Sequence, residues 1–183
     1  GRALEKYPVQ VHAFEVNSSH NHHQLSAAED QQENLAPFMR CTNSLIARGI
    51  NKAWDREGHV FAGRARVHAC ADDAAAEDKL LYALTNVAKD NLIQTTKHTP
   101  FFSTYKHQAT GSPLEFWYID YEAYWTAGGP RNKKHRLKDF IKWTKWQTTP
   151  LPSHRGMTES QRQTWIRKQV KEREEAYAEE RRK

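Results

Sequence analysis

Residues Val9–Val16 (VQVHAFEV) follow Pro8 and are rich in β-branched and aromatic side chains, with apolar residues at both parities; this predicts a strand covered on both faces. Leu4 and Tyr7, just before it, read as the end of a helix. Asn17, Ser18 and Ser19 are turn formers, so His20–Leu25 can return as the second arm of a hairpin. A polar stretch then leads to Pro37, suited to a first helical turn. Phe38, Leu45, Ile46, Ile50 and Trp54 recur at helical spacing up to Gly58. Residues 59–71 (HVFAGRARVHACA) alternate loosely and predict a loop followed by a strand, with Arg64, Arg66 and His68 on one face. Asp72 and Asp73 are acceptable N-caps for a helix to about Asn91.

Beyond Ile93 the pattern changes. Residues 94–136 mix aromatics with Gly and Pro and predict loops and short elements, whereas 137–147 (LKDFIKWTKWQ) alternate base and aromatic. A Pro-rich linker (TTPLPSHRG) precedes a charged helix from near Thr158, where Thr158 and Gln161 have capping-box spacing. Ile166, Val170 and Tyr177 give that helix a thin apolar stripe, and its end (KEREEAYAEERRK) reads as solvated or frayed. No internal repeat is present.

Composition bounds the partners. The 183 residues fit one domain with extensions. A mean hydropathy of −0.93 leaves a modest core. The net charge of +6 suits a polyanion, though many basic proteins bind no nucleic acid. Two cysteines, Cys41 and Cys70, form no CxxC pair, which fits a reducing cytosol and a cytoplasmic location. No apolar run approaches the ~20 residues of a membrane span, so no membrane partner is expected.

Three local features carry chemistry. In His20-Asn21-His22, a strand would point both imidazoles to one face, where they could meet a cation; in a chain with ten histidines such a pair is more often surface or hydrogen-bonded. Tyr82 and Asn86, at i and i+4, share a helix side with Lys79 and Lys89, while Leu80, Leu84 and Val87 lie opposite. The plain alternative is that Tyr82 is a boundary residue of the core. Arg64 and Arg66 could hold a phosphate backbone or simply form a charged edge.

In their order, SSHNHHQL (18–25), INKAWDREGHVFAGRARV (50–67) and LLYALTNVAKDNLI (80–93) resemble the REP-associated tyrosine transposases, a branch of the HUH single-strand endonucleases, over about Leu4 to Ile93. The resemblance implies an α+β fold, an antiparallel sheet with helices packed on it in a ferredoxin-like HUH arrangement, plus an irregular and helical C-terminal extension. The first strand of that fold is expected before Gly1. The implied organisation is a catalytic domain at 1–93, a basic and aromatic extension at 94–147, and a linker with charged helix at 148–183. It also implies His20, His22 and Asn86 as ligands of a divalent metal, Mg²⁺ or Mn²⁺, and Tyr82 as the nucleophile that forms a 5′-phosphotyrosine link on single-stranded or hairpin DNA. A free phenol, with a pKa of about 10, is a poor nucleophile at neutral pH and needs a cation nearby. Asn21 stands where the family has a hydrophobic residue and is expected to face the core; His23 is a competing candidate ligand.

The extension offers further phosphate contacts. Arg131, Lys133, Lys134 and Arg136 belong to the densest basic run, and Lys142 and Trp143 could pair charge with base stacking. The favoured alternative packs Phe140, Ile141 and Trp143 as core. Function therefore divides between a DNA strand transferase, a catalytically inactive DNA-binding descendant of the same fold, and a basic nucleic-acid-binding module; a monomer and a homodimer are equally compatible.

Overall fold

The computed structural model describes residues 2–17 and 19–182; the turn residue Ser18 lies outside them. The fold is α+β, with two separate two-stranded antiparallel sheets. The chain divides by its internal contacts into a larger unit, residues 2–111 with 148–182, and a smaller one, residues 112–147. The cut after 147 coincides with the expected one, but the boundary expected at 93 lies at 111 and residues 148–182 rejoin the first segment, because residues 94–111 and the C-terminal helix pack into the larger unit.

That unit begins with α1 (Arg2–Lys6), then β1 (Gln10–Val16) and β2 (Asn21–Ser26). The strands pair from Gln10↔Ser26 to Val16↔Asn21, with a register shift between Val11 and Ala13 that places His12 out of the ladder. The turn closes through the Asn17 backbone N–H, which donates to the His20 carbonyl at 2.8 Å. The outer edge of β1 is engaged by residues 102–104: the Val16 N–H donates to the Phe102 carbonyl and the Thr104 N–H to the Phe14 carbonyl. Among the described residues no strand pairs with the outer edge of β2.

The helix α2 (Leu35–Ala53) carries Phe38, buried, and Leu45, Ile46 and Ile50, half-buried, as the spacing predicts; it ends short of Gly58, and Trp54 lies beyond it, exposed. The strand expected within 59–71 is not formed. Residues 63–71 are irregular and exposed, and Val67 retains 83% of its surface. A strand needs a neighbouring edge to satisfy its backbone, and this segment lies on none.

The helix α3 (Asp73–Lys89) is the centre of the unit. The Asp72 carboxylate caps it, accepting from the Ala75 N–H at 2.7 Å. Asn91, with φ at +56°, ends it in the left-handed conformation that Asn tolerates at this position. One side of α3 lies on β1 and β2, the other against α6 (Glu159–Glu180). Hence Leu80, Leu81, Ala83, Leu84, Thr85, Asn86, Val87 and Ala88 are all buried, and the expected single apolar stripe is a helix covered on two sides. The core joins Ala13, these leucines, Ala109 of α4 (Tyr105–Thr110), Leu151, Ile166 and Val170.

The helix α6 has the capping box read from Thr158 and Gln161, with Thr158 Oγ accepting from the Gln161 N–H at 3.3 Å. It is not a loose tail. Ile166 and Val170 are sealed in the core, Arg173 pairs with Asp78, and Arg181 donates to the Ala88 carbonyl at 2.9 Å.

The smaller unit is a second hairpin, β3 (Leu114–Ile119) with β4 (Ile141–Trp146), bridged by α5 (Tyr121–Thr126) and short 3-10 turns. Its strands pair from Leu114↔Trp146 to Ile119↔Ile141.

Because Ile166 fills the space between α6 and α3, Ile166→Ala should destabilise the chain by about 2–5 kcal/mol, read as a lower midpoint in urea denaturation at unchanged slope. An unchanged midpoint would show that α6 contributes nothing to the core.

Candidate metal and tyrosine site

The alternation of β2 and the helical repeat of α3 bring the sequence-selected residues to one place. His20, at the mouth of the turn, and His22 share a strand face, and their rings meet edge to face with centroids 4.7 Å apart. Across from them α3 presents Tyr82 and, one turn later, Asn86. The Tyr82 ring stands against His22 at 5.4 Å between centroids. The Asn86 side-chain oxygen accepts from His20 Nε2 at 3.0 Å and from the Asn17 amide at 2.6 Å. Ser19 Oγ lies 3.0 Å from His20 Nδ1. Lys89 Nζ lies 4.6 Å and Lys79 Nζ 5.7 Å from the Tyr82 ring centre, so two ammonium groups surround the phenol. Tyr82 is half-buried, whereas Asn86 is sealed.

The floor of this site is polar. Glu15, paired with His22 in the ladder, is fully buried with 0% of its surface exposed. Burial, reinforced by the charge of Asp90, pushes its carboxyl up to about 8. Burial also lowers the His22 pKa, as does the neighbouring His20, against opposing contributions from Asn86 and Asp90. Gln24 Nε2 donates to the Ala76 carbonyl at 2.6 Å, fastening β2 to the first turn of α3.

The opposite strand parity carries the residues expected to interfere. His23 stacks on Phe14 at 4.4 Å and is pushed down to about 4 by burial and by His22. It faces away from His20 and His22, so it is not a competing ligand. Asn21, of the same strand parity, is half-buried.

Among the described residues no group of three or more His, Cys, Asp or Glu side chains is arranged to hold a metal ion. A divalent cation here would therefore need Asn86 in its shell. The donor set suits one. His22 Nε2 is buried without a hydrogen-bond partner, and His20 Nε2 and the Asn86 oxygen already point at each other. For His20 to ligate through Nε2 its proton must move to Nδ1, where Ser19 Oγ can accept it.

Other candidates fall elsewhere. Arg64 and Arg66 are exposed on the irregular segment and do not form a strand face. Arg131, Lys133, Lys134 and Arg136 are exposed on the smaller unit. Lys142 lies on β4 and pairs with Asp120 at 2.6 Å, which raises its pKa. Trp143 is 69% exposed and Ile141 is exposed as well, which corrects the expectation that they pack as core; Phe140 alone is half-buried, against Tyr124 and His135.

Sequence reasoning missed Glu15, Asn17 and Trp117. An acid at an inward position of an otherwise apolar strand was the available signal for Glu15. Trp117 sits directly opposite Trp143 in the hairpin ladder and is 58% exposed.

Comparison with protein-family models, curated proteins and solved structures gives no match.

The raised Glu15 carboxyl has a signed consequence for stability. The unfolded chain releases this proton near the ordinary carboxylate value, while the folded chain holds it to about 8. Glu15 therefore costs nothing at low pH and destabilises increasingly as pH rises between those values, by about 1.4 kcal/mol per pH unit. Glu15→Gln, the neutral isostere, should in chelator-treated protein leave the Tm nearly unchanged at about pH 4 and raise it by several degrees at about pH 9. An equal effect at both pH values, measured by scanning calorimetry, would contradict this.

Proposed function

We propose that this chain is a metal-dependent single-strand DNA nicking and joining enzyme of the HUH type, built on the arrangement that the REP-associated tyrosine transposases imply. The observation that carries this reading is the convergence of His20, His22, Asn86 and Tyr82, drawn from β2 and α3, into one polar site.

A divalent cation held by His20, His22 and Asn86 would polarise the scissile phosphate and offset the charge that develops during attack. Imidazole ligands favour Mn²⁺ over Mg²⁺, which prefers oxygen. The Tyr82 oxygen attacks phosphorus and the bond to the 3′-oxygen breaks. The products are a 5′-phosphotyrosine link and a free 3′-hydroxyl; the reverse step joins a new end. Lys79 and Lys89, beside the ring, attract the phosphates of the strand. Single-stranded DNA, including hairpin-bearing strands, is the substrate class.

A second reading, DNA binding without strand transfer, is favoured by the smaller unit. It carries a basic run and exposed Trp117, Trp125 and Trp143, a combination on which bases stack while phosphates are neutralised.

With hairpin-bearing single-stranded DNA and Mn²⁺, the protein should form a covalent adduct that survives a denaturing gel. Tyr82→Phe should lose the adduct and keep binding. Binding without an adduct in the unsubstituted protein would leave only the second reading. Independently, replacing Arg131, Lys133, Lys134 and Arg136 together by Ala should weaken single-strand binding and flatten its logarithmic salt dependence by up to about 3. An unchanged slope in a fluorescence-anisotropy titration would remove this run from the DNA contact.

A further inference from the structure

We propose that the face of the smaller hairpin bearing Trp117 and Trp143 is a ledge on which unpaired bases of single-stranded DNA stack, without sequence preference. This rests on the DNA-binding reading given second above and is independent of Tyr82. The two indoles are directly opposite each other in the β3–β4 ladder. They therefore stand side by side on one face of the ribbon, with Cβ atoms about 5 Å apart. They keep 58% and 69% of their surface, more than any other aromatic residue of the two strands. Ile119 and Ile141 continue the same face on one side of the pair, and the Glu115–Lys145 ion pair closes it on the other.

The charge around this face decides what covers it. Residues 112–147 hold seven Lys and Arg against four Asp and Glu. Two of the acids, Glu115 and Asp120, are taken by Lys145 and Lys142. The Asp139 carboxylate accepts from the Arg136 backbone N–H at 2.8 Å. Arg131, Lys133, Lys134, Arg136 and Lys138 are exposed, and among the described residues none of them enters an ion pair. All five sit in the connection between the strands, which leaves the hairpin at the Ile119–Ile141 end; there the Asp120 N–H donates to the Phe140 carbonyl at 2.9 Å. That end is two residues, about 7 Å of strand, from the Trp pair. A polyanion whose repeat also carries flat rings satisfies the cations and the indole faces together. Every base has a π-face, which makes such stacking tolerant of sequence. Paired bases are already stacked on their neighbours, so the ledge takes loops and single-stranded flanks.

The test is fluorescence anisotropy of labelled oligothymidylate of about 12 nucleotides, titrated with the full chain in chelator, beside an abasic strand of the same length. The unsubstituted protein should bind the oligothymidylate at least about tenfold more tightly than the abasic strand. Trp117→Ala and Trp143→Ala should each weaken oligothymidylate binding by about fivefold or more, the scale of one stacked base. Together they should bring it down to the affinity for the abasic strand, which itself stays unchanged. Should truncation unfold the hairpin, Trp117→Leu combined with Trp143→Leu keeps apolar bulk without the indole faces and should show the same selective loss. An equal loss for both strands, or none for either, would overturn the ledge and leave the basic run as the DNA contact. Tighter binding to phosphatidylglycerol vesicles than to the oligothymidylate, lost in the same variants, would assign the face to a lipid surface and overturn it as well. No binding of either strand by the unsubstituted protein would overturn the DNA-binding reading, and this inference with it.

Discussion

The side-chain oxygen of Asn86 is the point on which the larger unit turns. It accepts from the Asn17 amide and from His20, and so ties the end of one strand, the start of the next and the middle of α3 to a single buried atom. Neither donor could be buried there alone without a cost of about 1–3 kcal/mol, so the network fixes the register of the hairpin against the helix. That register then decides everything near it. His22 meets the Tyr82 ring, Gln24 reaches the Ala76 carbonyl, and Glu15 is driven beneath the helix. A polar network is thus doing the positioning that apolar packing does elsewhere in the unit, where Leu80 and Leu84 cluster with Ile166 and Val170.

Much of this was legible from local pattern. The hairpin, the capped α3 and the helix starting at Thr158 each rest on short-range signals: β-branched runs, an Asp before an Ala-rich stretch, Thr and Gln at capping spacing. The i, i+4 relation of Tyr82 to Asn86 and the parity of His20 and His22 also needed nothing beyond helix and strand geometry. What failed depended on partners distant in sequence. Residues 59–71 have strand composition, yet a strand exists only beside an edge. Trp143 and Ile141 have core composition, yet the hairpin that holds them covers neither. The thin stripe of α6 marks its docking face, through Ile166 and Val170, whereas its charged end, which reads as solvated, is anchored by Arg173 and Arg181.

The smaller unit is organised by different physics. Its hairpin carries Trp117 opposite Trp143 and a cross-strand Glu115–Lys145 ion pair at 3.1 Å, with Lys142 held to Asp120. Exposed ion pairs of this kind contribute little, and a two-stranded hairpin is marginal alone. Gly129, at φ +55°, lies so close to the Trp125 ring that a side chain there would collide with it, which fixes the turn entering the basic run.

The docking of α6 also sets the order in which the molecule can form. Its larger unit is discontinuous, with the smaller hairpin interrupting it between residues 111 and 148. During synthesis the β1–β2 hairpin and α3 emerge before α6, and one side of α3 has no cover until α6 leaves the ribosome. Over that interval Leu84 and its neighbours face water, a nascent state that invites chaperone capture. Contacts between residues as far apart in sequence as Asp78 and Arg173 also slow the closing step. Moving the C-terminal helix ahead of residue 2 by circular permutation would put the two halves of the core in the order in which they pack.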